Sequence, residues 1–332
     1  MQINPFKHFT FLRGVNIIKI FFSYFLSIFL KRPIVWGKPI TTTVEPTNLC
    51  NLKCPECPRG ISALTRNAGY LSLEDFKKIV DQIYKYTFYI QLFFQGEPFL
   101  NKDLFKMIDY AKSKKMFVSI STNGTLFSDE MVNKLFESPP NKLIFSLDGL
   151  DEATYKIYRR GGIFNETLNG LGTISKYKKN KKLKEPFIEL QFLVMKHNEH
   201  QIPLLNNFIK KYSVDKLKIK TMQVYSLEGA KNFLPSNPKY SRYILSENEF
   251  RIKSKLPNRC FTLWKNILVT WDGRVVPCCF DKDATYEMGN INKEEIISIW
   301  KNKKYLNFRK SILRNRKNIS ICNNCTSGLR IK

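Results

Sequence analysis

Six times between residues 40 and 221, a short apolar run gives way to a segment of helical periodicity, and this alternation leaves few folds open. The runs are Ile40–Val44, Phe88–Phe94, Phe117–Ser121, Lys142–Leu147, Phe187–Val194 and Lys216–Thr221. Helical patterns lie between them near 73–85, 102–114, 129–137, 165–179 and 200–211. Strand–helix alternation predicts an α/β fold built on a parallel sheet, wound open or curled into a partial barrel. Near-continuous apolar strands predict that both sheet faces are covered. Polar residues then follow each strand: Glu45 and Asn48, Gly96-Glu97-Pro98, Asn123-Gly124, Asp148-Gly149, His197-Asn198 and Gln223. The C-terminal ends of barrel strands are where such folds place their chemistry.

The eight cysteines fall into two groups: Cys50, Cys54 and Cys57, then Cys260, Cys278, Cys279, Cys322 and Cys325. A secreted disulfide framework would spread them through a small domain; tight spacing in a chain of 332 residues points to metal and to a reducing, cytoplasmic compartment. The first group reads C-x3-C-x2-C directly after the first strand. Three thiolates on one short loop suit a 4Fe–4S cluster that keeps one iron free of protein ligands. A structural zinc would need a fourth ligand, and the only histidines are His8, His197 and His200.

The run Asn48-Leu49-Cys50-Asn51-Leu52-Lys53-Cys54-Pro55, with this spacing, resembles the radical S-adenosylmethionine (SAM) superfamily. The resemblance implies a (β/α)6 partial TIM-type barrel, here expected over residues 39–224. It also implies SAM chelated to the free iron and cleaved by one electron to a hydrogen-abstracting 5′-deoxyadenosyl radical, with a flavodoxin- or ferredoxin-type electron donor as partner. By the same likeness Gly96, Glu97 and Pro98 match the motif that binds the SAM amino group. Ser121 and Asn123 match the end of strand three, Ser146 and Asp148 the end of strand four, and Arg159 or Arg160 the partner of the SAM carboxylate. Gln191 and Asn198 are further candidates. Two positions depart from the family pattern: Gln95 stands where a glycine is usual, and Glu56 where an aromatic residue precedes the third cysteine.

Residues 225–258, with three prolines and no clear periodicity, read as a linker. Beyond it, Trp271-Asp272-Gly273 predicts a hairpin between Ile267–Thr270 and Arg274–Val276. Helices are expected near 293–301 and 305–314. With the second cysteine group, this C-terminal stretch (259–332) resembles the twitch or truncated SPASM extension of radical SAM enzymes. That likeness implies an auxiliary 4Fe–4S cluster on Cys260, Cys278, Cys322 and Cys325, with Cys279 spare; the residues alone leave the reverse assignment of Cys278 and Cys279 open. Spacing alone also fits a zinc ribbon. An auxiliary cluster without a free coordination site can accept the second electron of an oxidation, which makes an oxidoreductase the leading expectation. A small polar substrate such as an amino sugar, aminocyclitol or nucleotide sugar is expected. A peptide or protein maturase stands second, because the forty residues before the first strand are few for a leader-binding domain. Position alone offers Tyr225, Glu228 and Arg160 as bases.

The net charge is +27. Such a field favours phosphorylated, acidic or membrane-associated partners, but the lysines are scattered and form no basic stripe interleaved with aromatics, so nucleic-acid binding is not expected. Within residues 1–38, Ile17, Ile18, Phe21, Phe22, Phe25, Leu26, Phe29 and Leu30 repeat at helical spacing, opposite Asn16, Lys19, Ser23 and Ser27. The stripe predicts a helix packed through its apolar face on the main domain; a helix lying on a membrane is the alternative.

Overall fold

The computed structural model describes residues 5–253 and 255–325. The ends of the expected N-terminal segment (1–4) and C-terminal extension (326–332), and Ser254 in the expected linker, lie outside the described residues.

Six strands pair in parallel and in sequence order: β1 (Thr41–Val44), β2 (Tyr89–Leu92), β3 (Phe117–Thr122), β4 (Lys142–Ser146), β5 (Phe187–Val194) and β6 (Lys216–Thr221). A long helix, α1 (Phe11–Leu30), precedes them. The crossovers carry α2 (Leu73–Ile83), α3 (Leu104–Ser113), α4 (Asp129–Glu137), α5 (Glu152–Tyr158), α6 (Phe164–Asn180) and α7 (Leu205–Lys211). Local chemistry explains these boundaries. Ser72 caps α2 by accepting the Asp75 amide, Glu74 and Asp75 sit in its positive first turn, and Phe76, Ile79, Val80 and Ile83 form the buried face. α5 escaped the sequence reading because seven residues are too few to register a period; Asp151 starts it by accepting from the Thr154 amide at 2.8 Å.

The predicted hairpin forms, and it continues the barrel sheet. β9 (Asn266–Val269) pairs in parallel with the outer edge of β1, followed by β10 (Arg274–Val276) and β11 (Gly289–Asn290), so the sheet has nine strands. Gly273 takes the turn at φ +82°. Residues 225–258 are more than a linker: they hold α8 (Leu227–Phe233) and a second hairpin of β7 (Tyr243–Leu245) and β8 (Phe250–Ile252). These elements are again too short for periodicity to show. The C-terminal helices are α9 (Thr262–Lys265), α10 (Ile296–Lys301), α11 (Lys303–Asn315) and α12 (Ser320–Asn323). Their core is aromatic around a cation: the buried Arg309 guanidinium lies 4.1 Å from the Trp300 ring and 3.9 Å from the Tyr305 ring, and donates to the carbonyls of Leu263 and Trp300.

α1 corrects the sequence reading. It does pack on the barrel, but through its polar side: Arg13, Asn16, Ser23 and Ser27 are buried with Ile20 and Tyr24, while most of the apolar stripe faces outward. Hydrogen bonding decides the orientation. Arg13 donates to the carbonyls of His8, Tyr84, Lys114 and Lys115; Asn16 exchanges two bonds with the Lys38 backbone, and Ser27 two with Ile34. Buried carbonyls need such donors, and an apolar face supplies none.

Candidate functional site

A cavity of about 400 Å³ opens at the C-terminal ends of the barrel strands. Cys50, Cys54 and Cys57 all line it, on the loop that follows β1. Burial raises the Cys50 thiol and pushes Cys54 up to about 11, so loading metal here must displace protons. Among the described residues no three acidic, histidine or cysteine side chains close around a single ion. The three thiols share the lining of one cavity.

Opposite the loop, Gly96 adopts φ +77°, and a Cβ there would lie 2.5 Å from the Leu49 carbonyl oxygen and 2.7 Å from that of Thr47. Only glycine lets the β2 loop approach the cysteine loop this closely. Glu97 lines the cavity and is fully enclosed. Its carboxyl accepts from the Thr122 hydroxyl (2.8 Å) and from the amides of Asn123 (2.7 Å) and Phe99 (3.3 Å). Burial nonetheless pushes it up to about 7, against these donors and the nearby Arg159 charge. Ser121, Asn123, Ser146 and Gln191 also line the cavity, and Asn123 reaches the Cys50 sulfur at 3.9 Å.

Four expected contacts fall elsewhere. Pro98 is buried and opens a 3-10 turn, outside the cavity lining. Asp148 lies beneath the site: one carboxyl oxygen accepts the Leu193 amide (2.8 Å), and the other holds Arg159 at 2.6 Å. It positions Arg159, which does line the cavity and whose buried Nε has no protein partner. Arg160 lies past the end of α5, is exposed and does not line the cavity. Asn198 is also structural, bonding the carbonyls of Asp148 and Leu193. Of the proposed bases only Tyr225 reaches the cavity; Glu228 is exposed.

The sequence reading missed three cations on the cavity wall: Lys220, Arg242 and Lys282. Lys220 belongs to the Lys-x-Lys-x-Lys alternation of β6, which was the available signal. Arg242 lay in the supposed linker, where it donates to Thr221. Lys282 follows Cys278-Cys279 and donates to the Tyr225 hydroxyl. Glu56 also lines the cavity and accepts from the Tyr225 amide (3.2 Å).

Glu45, noted only as polar, joins four segments. Arg66 forks it through two bonds of 2.5 Å, and the amides of Gln95 and Trp271 donate to it at 3.2 Å each. Burial raises this carboxyl above its ordinary value, and Arg66 draws it back.

The second cysteine group rings a separate apolar cavity, lined by Cys260, Cys278, Cys279, Cys322 and Cys325 with Leu263, Phe308 and Ile312. Cys278, Cys322 and Cys325 are buried, whereas Cys279 is exposed. Burial raises Cys278 well above its ordinary value and Cys322 to about 12. Arg316 donates to the Cys325 sulfur at 3.4 Å, the kind of bond that tunes a cluster. Both cysteine sets therefore fit iron–sulfur groups, and the cavity between the first set, Glu97 and Arg159 offers the carboxylate and guanidinium that an amino acid moiety needs.

A model of the radical SAM superfamily matches residues 44–201, and one of an iron–sulfur cluster-binding domain (SPASM) matches residues 260–326. The chain is 26% identical over 293 residues to the tungsten-containing aldehyde ferredoxin oxidoreductase cofactor-modifying protein of Pyrococcus furiosus, covering 80% of this chain and 82% of that one. It is 31% identical over 202 residues to the Fe-coproporphyrin III synthase of Methanosarcina barkeri, covering 60% of this chain and 46% of the relative. Two solved structures share the fold: BtrN in complex with AdoMet and 2-DOIA (TM-score 0.56, 18% identity, 88% of this chain and 94% of that one), and Streptococcus suis SuiB bound to S-adenosylmethionine (TM-score 0.63, 15% identity, 88% and 73%). The cysteine loop, the enclosed glutamate and the second thiol ring have one common explanation: the protein belongs to the radical SAM superfamily and carries a C-terminal SPASM auxiliary-cluster domain.

Proposed function

We propose that the protein oxidises an anionic substrate by two electrons, one leaving with the abstracted hydrogen atom and the second, with release of a proton, to be accepted by the auxiliary cluster that Cys260, Cys278, Cys322 and Cys325 would hold. The observation that carries this reading is the shared wall between the two cysteine sites. The segment that begins at Cys278-Cys279 and lines the auxiliary cavity also sends Lys282 into the radical cavity. Bound SAM and the first cluster supply hydrogen-atom abstraction. Glu97 and Arg159 hold the two charged ends of the methionine moiety, Asp148 fixes the Arg159 guanidinium, and Gly96 lets the backbone approach. We assign the auxiliary ligands to Cys260, Cys278, Cys322 and Cys325, since Cys279 alone of the five is exposed. Lys220, Arg242 and Lys282 place three cations around the substrate space, which suits a phosphate or carboxylate on a small molecule.

A second reading, a peptide substrate, is favoured by one feature. A further cavity of about 580 Å³ shares Gln223 and Tyr225 with the first and continues between the β7–β8 hairpin and α12, giving room for an extended chain. Among similar proteins, the PqqA peptide cyclase of Bradyrhizobium diazoefficiens is 22% identical over 82% of this chain.

The test is anaerobic turnover by the reconstituted holoprotein with two panels, phosphorylated or carboxylated sugars and cyclitols, and peptides. The expected result is a small-molecule product lighter by two hydrogens, formed with equimolar 5′-deoxyadenosine. The Cys322→Ala/Cys325→Ala variant should still cleave SAM yet lose the oxidised product. A product that gains or keeps its hydrogens refutes the oxidation; turnover confined to peptides replaces the small molecule with the second reading.

A further inference from the structure

α1 is inverted for a soluble helix. Its inward face carries Arg13, Asn16, Ser23 and Ser27, while Phe11, Phe22, Phe25 and Phe29 are 85%, 66%, 63% and 82% exposed. Ile18 and Leu12 extend the same outward face. An apolar surface this long, about 30 Å for twenty residues, marks an interaction site rather than chance exposure. Its surroundings define the partner. The first 44 residues contain Lys7, Arg13, Lys19, Lys31, Arg32 and Lys38 and no acidic residue, and Lys19, Lys31 and Arg32 are exposed beside the phenylalanines. Exposed aromatics flanked by cations match the acyl boundary and the phosphates of an anionic bilayer leaflet.

We propose that the outward face of α1 seats the protein on an anionic phospholipid bilayer, the helix lying in the plane of the interface. Two other occupants fit less well. Among the described residues α1 is the one helix long and apolar enough to span a bilayer. Spanning, however, would strip Arg13, Asn16 and Ser27 from their backbone partners and carry a guanidinium into hydrocarbon. A second copy of this chain would bring two basic rims together on molecules of charge +27, which repel.

The test is vesicle flotation of the reconstituted holoprotein, comparing phosphatidylcholine alone with an equal mixture of phosphatidylcholine and phosphatidylglycerol. Binding to the mixture should be at least about tenfold tighter and should weaken as salt rises. Phe22→Glu/Phe25→Glu/Phe29→Glu, all at exposed positions, should abolish flotation while iron content and SAM cleavage stay at wild-type levels. Lys19→Gln/Lys31→Gln/Arg32→Gln should weaken binding on the order of tenfold to a hundredfold. Absence of flotation on mixed vesicles overturns the proposal. Resistance of the bound protein to alkaline carbonate would overturn it in favour of a spanning helix. A dimer seen by sedimentation and dissolved by the triple phenylalanine change, with no vesicle binding, would overturn it in favour of self-association.

Discussion

Arg66→Met would leave the Glu45 carboxylate buried with only the amides of Gln95 and Trp271, each at a long 3.2 Å. Both partners of the pair have fully buried side chains. Removing one member of a buried ion pair costs about 3–5 kcal/mol, chiefly through the uncompensated charge left behind. At roughly 2 °C of midpoint per kcal/mol in a chain of this size, the holoprotein should melt about 6–10 °C lower near neutral pH. The sign with pH follows from the carboxyl. Burial already raises Glu45, with Arg66 opposing; without Arg66 it rises further. A carboxyl raised in the folded state takes up a proton as pH falls, so the deficit should shrink toward pH 5 and grow as pH rises through the folded value. Adding Glu45→Gln removes the charge but leaves one amide unpaired, so the double variant should recover about 2 kcal/mol over Arg66→Met at neutral pH. Anaerobic thermal unfolding of the three proteins at pH 5, 6, 7 and 8 checks this. If Arg66→Met and the double variant melt together at every pH, the ion-pair argument is wrong and Arg66 matters only through its bond to the Lys282 carbonyl.

Two further outcomes test the radical site. Because burial pushes Glu97 up to about 7, its carboxyl is ready to hold a cation only above that value; SAM affinity, measured by calorimetry, should fall as pH drops through 7, and Glu97→Gln should bind at least tenfold more weakly with a flat profile. Gly96→Ala meets both a left-handed φ and backbone oxygens at 2.5 and 2.7 Å, so it should displace the cysteine loop, and iron at the first site should fall by about half or more after reconstitution while the auxiliary iron is retained.

How much of this was legible in the chain follows from what each residue had to satisfy. β5 and β6 have the boundaries read from sequence, because an apolar or alternating run in a parallel sheet has to start and stop with its neighbour. The cysteine loop was singled out by its spacing, and Gly96 and Glu97 by their likeness to the radical SAM motif; the structure brings all of them to one cavity. Arg159 and Arg160 could not be told apart, because both are polar neighbours in sequence and only the turn after Tyr158 decides which of them lines the cavity; Asp148 was misplaced because its partners, the Leu193 amide and Arg159, are not local in sequence. Lys220, Arg242 and Lys282 come from three segments far apart in the chain, and no local pattern announces that they meet. α1 misled because its stripe is real but its docking is settled by carbonyls of residues 84, 114 and 115 that need donors.

The pairing of β1 with β9 has a consequence for how the molecule is made. Thr41 and Asn266 sit side by side yet are 225 residues apart in the chain. On a ribosome adding about 5–20 residues per second, the outer edge of β1 stays bare for roughly ten seconds or longer. An unpaired edge beside three free thiols is the part of a nascent chain most open to wrong strand pairing and to oxidation. The last hairpin thus covers the sheet edge that the first strand left open. A chain truncated before residue 266 should collect in the insoluble fraction instead of yielding a lone radical domain.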